Sequence, residues 1–211
     1  MDFTGFSAED FAVFDLAGFE ERMLAIRSLI RPKLLALGEI LAPGLSAKSR
    51  HSFYPHVASH ARRTVNPPDD TWLALGRSPR GYKMYVHYAV GIARDYVYTR
   101  LVLKPEAKDK ETLARNLQEN GPQLLNSFKG KNIFWYGLPK KLGTTVPIED
   151  MDNILGQVVE DLQQKKSSWL AVGRELKPNN PLLQQPANLV PEIENFFLQL
   201  LPLYRAAAEK K

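Results

Sequence analysis

TWLALGRSPRGYKMYVHYAVGIARDYVYTRLVL, residues 71–103, is the stretch whose reading decides the fold. Three runs in it, Thr71–Gly76, Lys83–Ala93 and Tyr96–Leu103, are rich in β-branched and aromatic residues and are separated by turn signals. In the second run Met84, Val86, Tyr88, Val90 and Ile92 share one face, while Lys83, Tyr85, His87, Ala89 and Gly91 share the other. Alternation of period two is the mark of a strand with one apolar and one mixed face. Arg94-Asp95 fits a tight hairpin connection, and Arg77–Gly81 a slightly longer one. Three consecutive antiparallel strands are the economical interpretation.

Working outward, the pattern turns helical on both sides. Upstream, Ser7-Ala-Glu-Asp10 has the form of a capping box opening a short helix through Phe14. Asp15 caps a second helix, with Glu20 and Glu21 in its first turn where the dipole favours negative charge. Its stripe is Phe19, Met23, Ile26, Ile30, Leu34, Leu37 and Leu41, spaced by threes and fours, as a core-facing helix requires. Pro32 should kink or split that helix, and Pro43-Gly44 should end it. Downstream, Asp109–Phe128 reads as an amphipathic helix weakened at Gly121-Pro122, followed by a short strand at Asn132–Tyr136. Pro147 leads a further helix, Ser168–Lys177 is a strand, and a last helix begins near Pro191. Strands in succession with helices before and after them indicate α+β rather than a parallel α/β sheet. With no internal repeat or linker, one compact domain over 1–211 is expected, a central antiparallel sheet covered by N-terminal, middle and C-terminal helices.

Composition bounds the function. The chain has 211 residues, 44% of them hydrophobic and 24% charged, values ordinary for a globular protein. It has no cysteine, which excludes disulfides, thiolate metal sites and cysteine nucleophiles. Its start, Met-Asp-Phe-Thr-Gly, lacks the basic and apolar regions of a secretory signal, and no apolar run is long enough to span a membrane. A cytoplasmic protein is therefore expected.

The charge is unevenly placed. Lys48, Arg50, Arg62, Arg63, Arg77, Arg80 and Lys83 face only Asp69 and Asp70 between residues 48 and 83, so this window carries the whole net +5. A localised excess of this kind suggests an anionic partner. Guanidinium groups clamp phosphate or carboxylate with paired hydrogen bonds, and Thr64 and Asn66 add neutral polar groups. Pro67-Pro68 stiffens the segment that presents Arg62 and Arg63. Trp72, Tyr82, Tyr85 and Tyr88 offer rings of the kind on which single-stranded nucleic acids stack. The competing interpretation is a solvated surface, its arginines paired with Asp69, Asp70 and other carboxylates. His56 and His60 have the spacing that would set two imidazoles on one helix face. Val57 stands where the zincin pattern needs glutamate, so no metal site is assigned. Lys129-Gly-Lys131 and Lys140-Lys141 would extend the basic surface.

The string HARRTVNPPDDTWLALG at His60–Gly76, with RGYK at Arg80–Lys83, resembles the YktB-like family of bacterial proteins of unknown function. FEERMLAIRSLIRPKLLALGE at Phe19–Glu39 is similar to that family's opening helix. The resemblance implies a cytoplasmic bacterial protein with an α+β fold on an antiparallel sheet, and it implies no activity, cofactor or catalytic residue.

Three expectations for function follow. The leading one is an anion-binding domain, taking RNA or a phosphorylated small molecule. Arg62, Arg63 and Arg80 would contact phosphate, Thr64 and Asn66 would position it, Trp72 or Tyr82 would stack, and His60, Arg77, Lys83 and His87 would complete the surface. The second is an enzyme acting on a small phosphorylated or carboxylated metabolite, with His60 or His87 as general acid/base, because histidine titrates near neutrality. The third is a protein-interaction module whose basic face meets an acidic partner.

Overall fold

The computed structural model describes residues 2–137 and 145–209. Lys140-Lys141 lies outside the described residues. The alternating runs form β2 (Asp70–Gly76), β3 (His87–Ala93) and β4 (Tyr96–Leu103), and these are consecutive neighbours in one seven-stranded antiparallel sheet. Among the described residues the remaining strands are β1 (Tyr54–Val57), β5 (Phe134–Tyr136), β6 (Thr145–Pro147) and β7 (Leu170–Leu176). The order across the sheet is β1-β2-β3-β4-β7-β5-β6. On β5, Trp135 stands opposite Val146 of β6 and Val172 of β7. All seven residues of β3 are buried, so both faces of that strand are covered. This is why its alternation separates apolar from mixed residues rather than inside from outside.

The expected strand over Lys83–Ala93 is shorter than its pattern. Tyr82–Met84 is a turn of 3₁₀-helix entered through Gly81 at φ +66°, and the strand begins only at His87. β1 and β6 were not anticipated, having three or four residues each and a proline in both. Pro147 closes β6 and precedes a 3₁₀ segment, Ile148–Asn153, before the helix proper starts at Leu155.

The helices are α1 (Ala8–Ala12), α2 (Phe19–Ala25), α3 (Arg31–Ser49), α4 (Lys110–Asn126), α5 (Leu155–Gln164), α6 (Pro186–Gln199) and α7 (Leu201–Ala208). In α1 the capping box forms, the Asp10 carboxylate accepting from the Ser7 amide at 2.7 Å while also pairing with Lys33 at 2.6 Å. Between α2 and α3 the chain makes a π-helical turn, Ile26–Ile30, in which the Arg31 amide donates to the Ile26 carbonyl. The expected helix is thus divided next to Pro32, into α2 and α3 with the π turn between them. Pro32 sits at the opening of α3, where the missing N–H has no partner to lose. Pro43-Gly44 does not end α3, because the helix continues to Ser49 and stops at Arg50 in the left-handed region, φ +64°. Likewise α6 begins five residues before Pro191 and carries that proline inside it.

The chain divides into two compact units. The first comprises Met1–Leu75, Ala89–Thr99 and Glu175–Phe196. In it α3 lies directly on β1 and β2. A Cβ placed on Gly38 would stand 2.8 Å from Leu73 and 2.9 Å from Pro55, so only glycine permits that approach. Ile30, Leu34, Leu37 and Leu41 are fully buried there, each contributing about 1.5–3 kcal/mol from removal of its side chain from water. The second unit comprises Gly76–Tyr88, Arg100–Arg174 and Phe197–Lys211. Its α4 rests on α5 at Gly121, where a Cβ would meet Leu155 at 2.4 Å, and on α7, where the Asn116 amide donates to the Ala206 carbonyl at 2.7 Å. Tyr88 stacks on Tyr204 in its core, ring centroids 5.3 Å apart. No helix among the described residues is long and apolar enough to cross a membrane.

Candidate anion-binding cleft

The π turn determines what the first unit presents. One extra residue in the turn sets the exposed Arg27 and the half-buried Arg31 along a cleft floored by the buried Met23 and Ile26. Such turns recur at functional sites because the added residue re-aims the side chains around it. The opposite wall is Ala58-Ser59-His60, the segment that leaves β1. Its position is fixed by the Ala58 amide, which donates to the Trp72 carbonyl at 2.9 Å, and by the Arg31 guanidinium, which donates to the Ala58 carbonyl at 3.2 Å. The cleft has a volume of about 270 Å³.

His60 adopts φ +53°, a left-handed conformation that costs a residue bearing a Cβ about 1–3 kcal/mol and persists only where neighbours enforce it. Two neighbours do so. The Nε2 atom lies 3.1 Å from the Thr71 hydroxyl, and the ring meets Trp72 edge to face at 5.4 Å. The expected helical pairing of His56 with His60 is thereby corrected. His56 belongs to strand β1 and His60 to a left-handed turn, so the four-residue spacing does not place them on one helix face.

Chemically, the lining offers two guanidinium groups, an imidazole and a serine hydroxyl over an apolar floor, with no carboxylate among the described residues that line it. Arg27 makes no ion pair or hydrogen bond with any described residue. Arg31 has one N–H engaged with a carbonyl, and its remaining donors are unused within the described residues. An unneutralised guanidinium pair is matched to a carboxylate or phosphate.

The residues singled out from the sequence fall into two groups. In the first unit, His60, Thr71 and Trp72 come together at the cleft's edge, and Arg62, Arg63, Thr64 and Asn66 follow on an exposed loop. Arg63 is turned onto that loop, donating to the Pro67 carbonyl at 3.0 Å and the Asn66 carbonyl at 3.4 Å. Arg62 forms no pair with a described residue. Of the carboxylates, Asp69 approaches Arg22 at 4.0 Å and Asp70 accepts from the Tyr98 hydroxyl at 2.8 Å, so neither neutralises Arg62 or Arg63.

In the second unit, Arg77 is a strut. It donates to Asp109 at 2.8 Å and to the Ala208 carbonyl at 3.0 Å, and it lies 4.1 Å from the centre of the Tyr85 ring. Asp109 also accepts from the Val86 amide at 2.7 Å, yet burial raises its carboxyl above the ordinary range against both partners. His87 is 1% exposed, with its Nδ1 against the Tyr85 carbonyl at 2.9 Å and its ring edge-on to Tyr82 at 4.9 Å. Arg80 and Lys83 are exposed, and the Lys83 ammonium stands 5.9 Å from the Tyr82 ring. Lys129 is paired with Asp152 at 2.8 Å. Sequence reasoning missed Arg27, Arg31 and Ser59. The four-residue spacing of the two arginines was legible, but only the fold brings residues 58–60 to face them.

Fold and cleft define the chain as an α+β protein with an arginine-lined cleft beside the first strands of an antiparallel sheet. It belongs to the family described as Domain of unknown function (DUF1054), whose model matches residues 6–204. The chain is 34% identical over 207 residues to a UPF0637 protein of Oceanobacillus iheyensis, covering 98% of each. Against a UPF0637 protein of Macrococcus caseolyticus it is 36% identical, covering 94% of this chain and 97% of the relative. A UPF0637 protein of Bacillus mycoides is also 36% identical, covering 97% of this chain and 98% of the relative. This is the YktB-like family to which the HARRTVNPP string pointed.

Proposed function

We propose that the chain is an anion-binding protein of the cytoplasm that takes a small phosphorylated or carboxylated molecule in the Arg27–Arg31–His60 cleft. One observation carries the reading: two arginines and a histidine converge on a small cleft whose described lining holds no counter-charge. Arg31 is pre-oriented by its bond to Ala58, so its remaining donors bind without further ordering. The exposed Arg62 extends the cation set beyond the cleft mouth. In the second unit Arg80, Tyr82 and Lys83 would form a separate surface, suited to single-stranded RNA. Any acid/base role would fall to His60, which lines the cleft, rather than to the buried His87.

The test is calorimetric titration with inorganic phosphate, pyrophosphate and a labelled single-stranded RNA, on the wild type and on Arg27→Ala. Small-anion binding weakened about tenfold or more by the substitution is expected, the loss of one charged hydrogen-bond donor being worth about 1.5–3 kcal/mol. RNA binding lost in Arg80→Ala/Lys83→Ala and untouched by Arg27→Ala would transfer the function to the second unit. If no anion binds even at low salt, the anion reading fails and the protein-interaction module becomes the reading to pursue.

A further inference from the structure

Beyond the cleft wall, Ala61, Arg62, Arg63, Thr64, Val65 and Asn66 are all exposed, and Val65 is 75% exposed. Among the described residues of the first unit this is the most solvent-exposed large apolar side chain, and it sits on a loop rather than on a packed face. Both ends of the loop are anchored. At its start His60 is held by Thr71 and Trp72, and the Arg63 amide closes a turn onto the His60 carbonyl at 2.9 Å. At its end Pro67-Pro68 is stiff, and the buried Arg22 donates to the Pro68 carbonyl at 3.1 Å. A short exposed segment between two fixed ends can move as a flap without disturbing its supports, and loops that shield ligands have this character. One of its hinges, His60, is itself part of the cleft lining.

We infer that residues 61–66 close over the occupied cleft, bringing Arg62 in as a third cation and Val65 down over an apolar body carried by the ligand. The inference rests on the cleft being a ligand site. It narrows the ligand class to a small anion with an apolar part, because Met23, Ile26 and Ala58 give the cleft an apolar lining and Val65 is the exposed apolar side chain that the closing loop carries. A bare inorganic anion would use Arg27 and Arg31 and leave the floor and the flap idle.

Phenyl phosphate and inorganic phosphate are the probes. Both are titrated calorimetrically into the full chain, and trypsin cleavage after Arg62 and Arg63 is followed by mass spectrometry with and without each. The expected result is that phenyl phosphate binds about tenfold tighter than phosphate or better, a margin that burial of one apolar group supplies. It should also slow cleavage at Arg62 and Arg63 while leaving cleavage elsewhere unchanged. Val65→Ser should lose the preference for phenyl phosphate yet bind phosphate as the wild type does. If both probes bind equally and cleavage is unaffected, the flap is wrong and the cleft reading stands. If neither binds, the cleft reading falls and the flap with it.

Discussion

Asp109 shows how much a single residue's role depends on a partner far away in sequence. Its carboxylate accepts from Arg77 and from the Val86 amide, yet burial dominates and holds its pKa above the ordinary 3.8. A carboxyl raised in the folded state lends stability that is fully present below the unfolded value and fades as pH rises through the folded one. Wild type should therefore gain on Asp109→Asn as pH falls toward 3.8, measured by urea midpoints across pH. Equal midpoints at every pH would refute that assignment. Asp109→Ala should cost about 3 kcal/mol at neutral pH, since it strands a half-buried guanidinium and a buried amide. From sequence, Arg77 looked like a ligand contact because its partner lies 32 residues downstream. Sequence reasoning did not single out Arg27 and Arg31, for the complementary reason. Their counterpart, Ala58-Ser59-His60, is brought to them only by β1, a four-residue strand whose Pro55 masks its pattern.

At the scale of elements, β2, β3, β4, β5 and β7 were legible as strands, while β1 and β6, each short and holding a proline, were not. Periodicity also located α2 and α3, since the core needs Met23, Ile26, Ile30, Leu34, Leu37 and Leu41 on one side. What misleads is proline within a helix: Pro43 reads as an end and Pro191 as a start, yet α3 and α6 run through them. Pro32 opens α3 just after the π turn and loses no bond, whereas Pro43 lies inside α3 and removes a donor from its ladder. The two should respond differently to alanine. Pro32→Ala should leave stability within about 1 kcal/mol of wild type, while Pro43→Ala should raise it by about 1–3 kcal/mol as the bond to residue 39 forms. Urea unfolding of both variants decides the matter. A gain at Pro32 and none at Pro43 would mean that the π turn does not absorb the missing donor.

For the molecule as a whole, the feature most exposed to solution conditions is the tyrosine pair in the second unit's core. Tyr88 and Tyr204 are both fully buried and stacked, and Phe197 lies 4.5 Å from the Tyr88 ring. Burial pushes the Tyr204 phenol from 10.0 up to about 12, and pushes Tyr88 well above its ordinary value, with Tyr204 adding to the rise for Tyr88. A phenol whose folded pKa is raised supports the fold fully below the unfolded value of 10.0 and withdraws that support as pH climbs through the folded one. Over that interval Tyr204 alone withdraws about 3 kcal/mol in all, and Tyr88 acts in the same direction. Against a net stability of about 5–15 kcal/mol for a domain, the loss of such support removes a substantial part of it in strong alkali. Circular dichroism should therefore show a cooperative alkaline transition above pH 10, accompanied by a step in tyrosinate absorbance as the two buried phenols ionise on release. Tyr204→Phe has no proton to lose, so its alkaline midpoint should move upward even if the substitution lowers stability at neutral pH. An unchanged midpoint would show that ionisation elsewhere, or repulsion among the charges of a protein far above its pI of about 9.3, drives the transition instead.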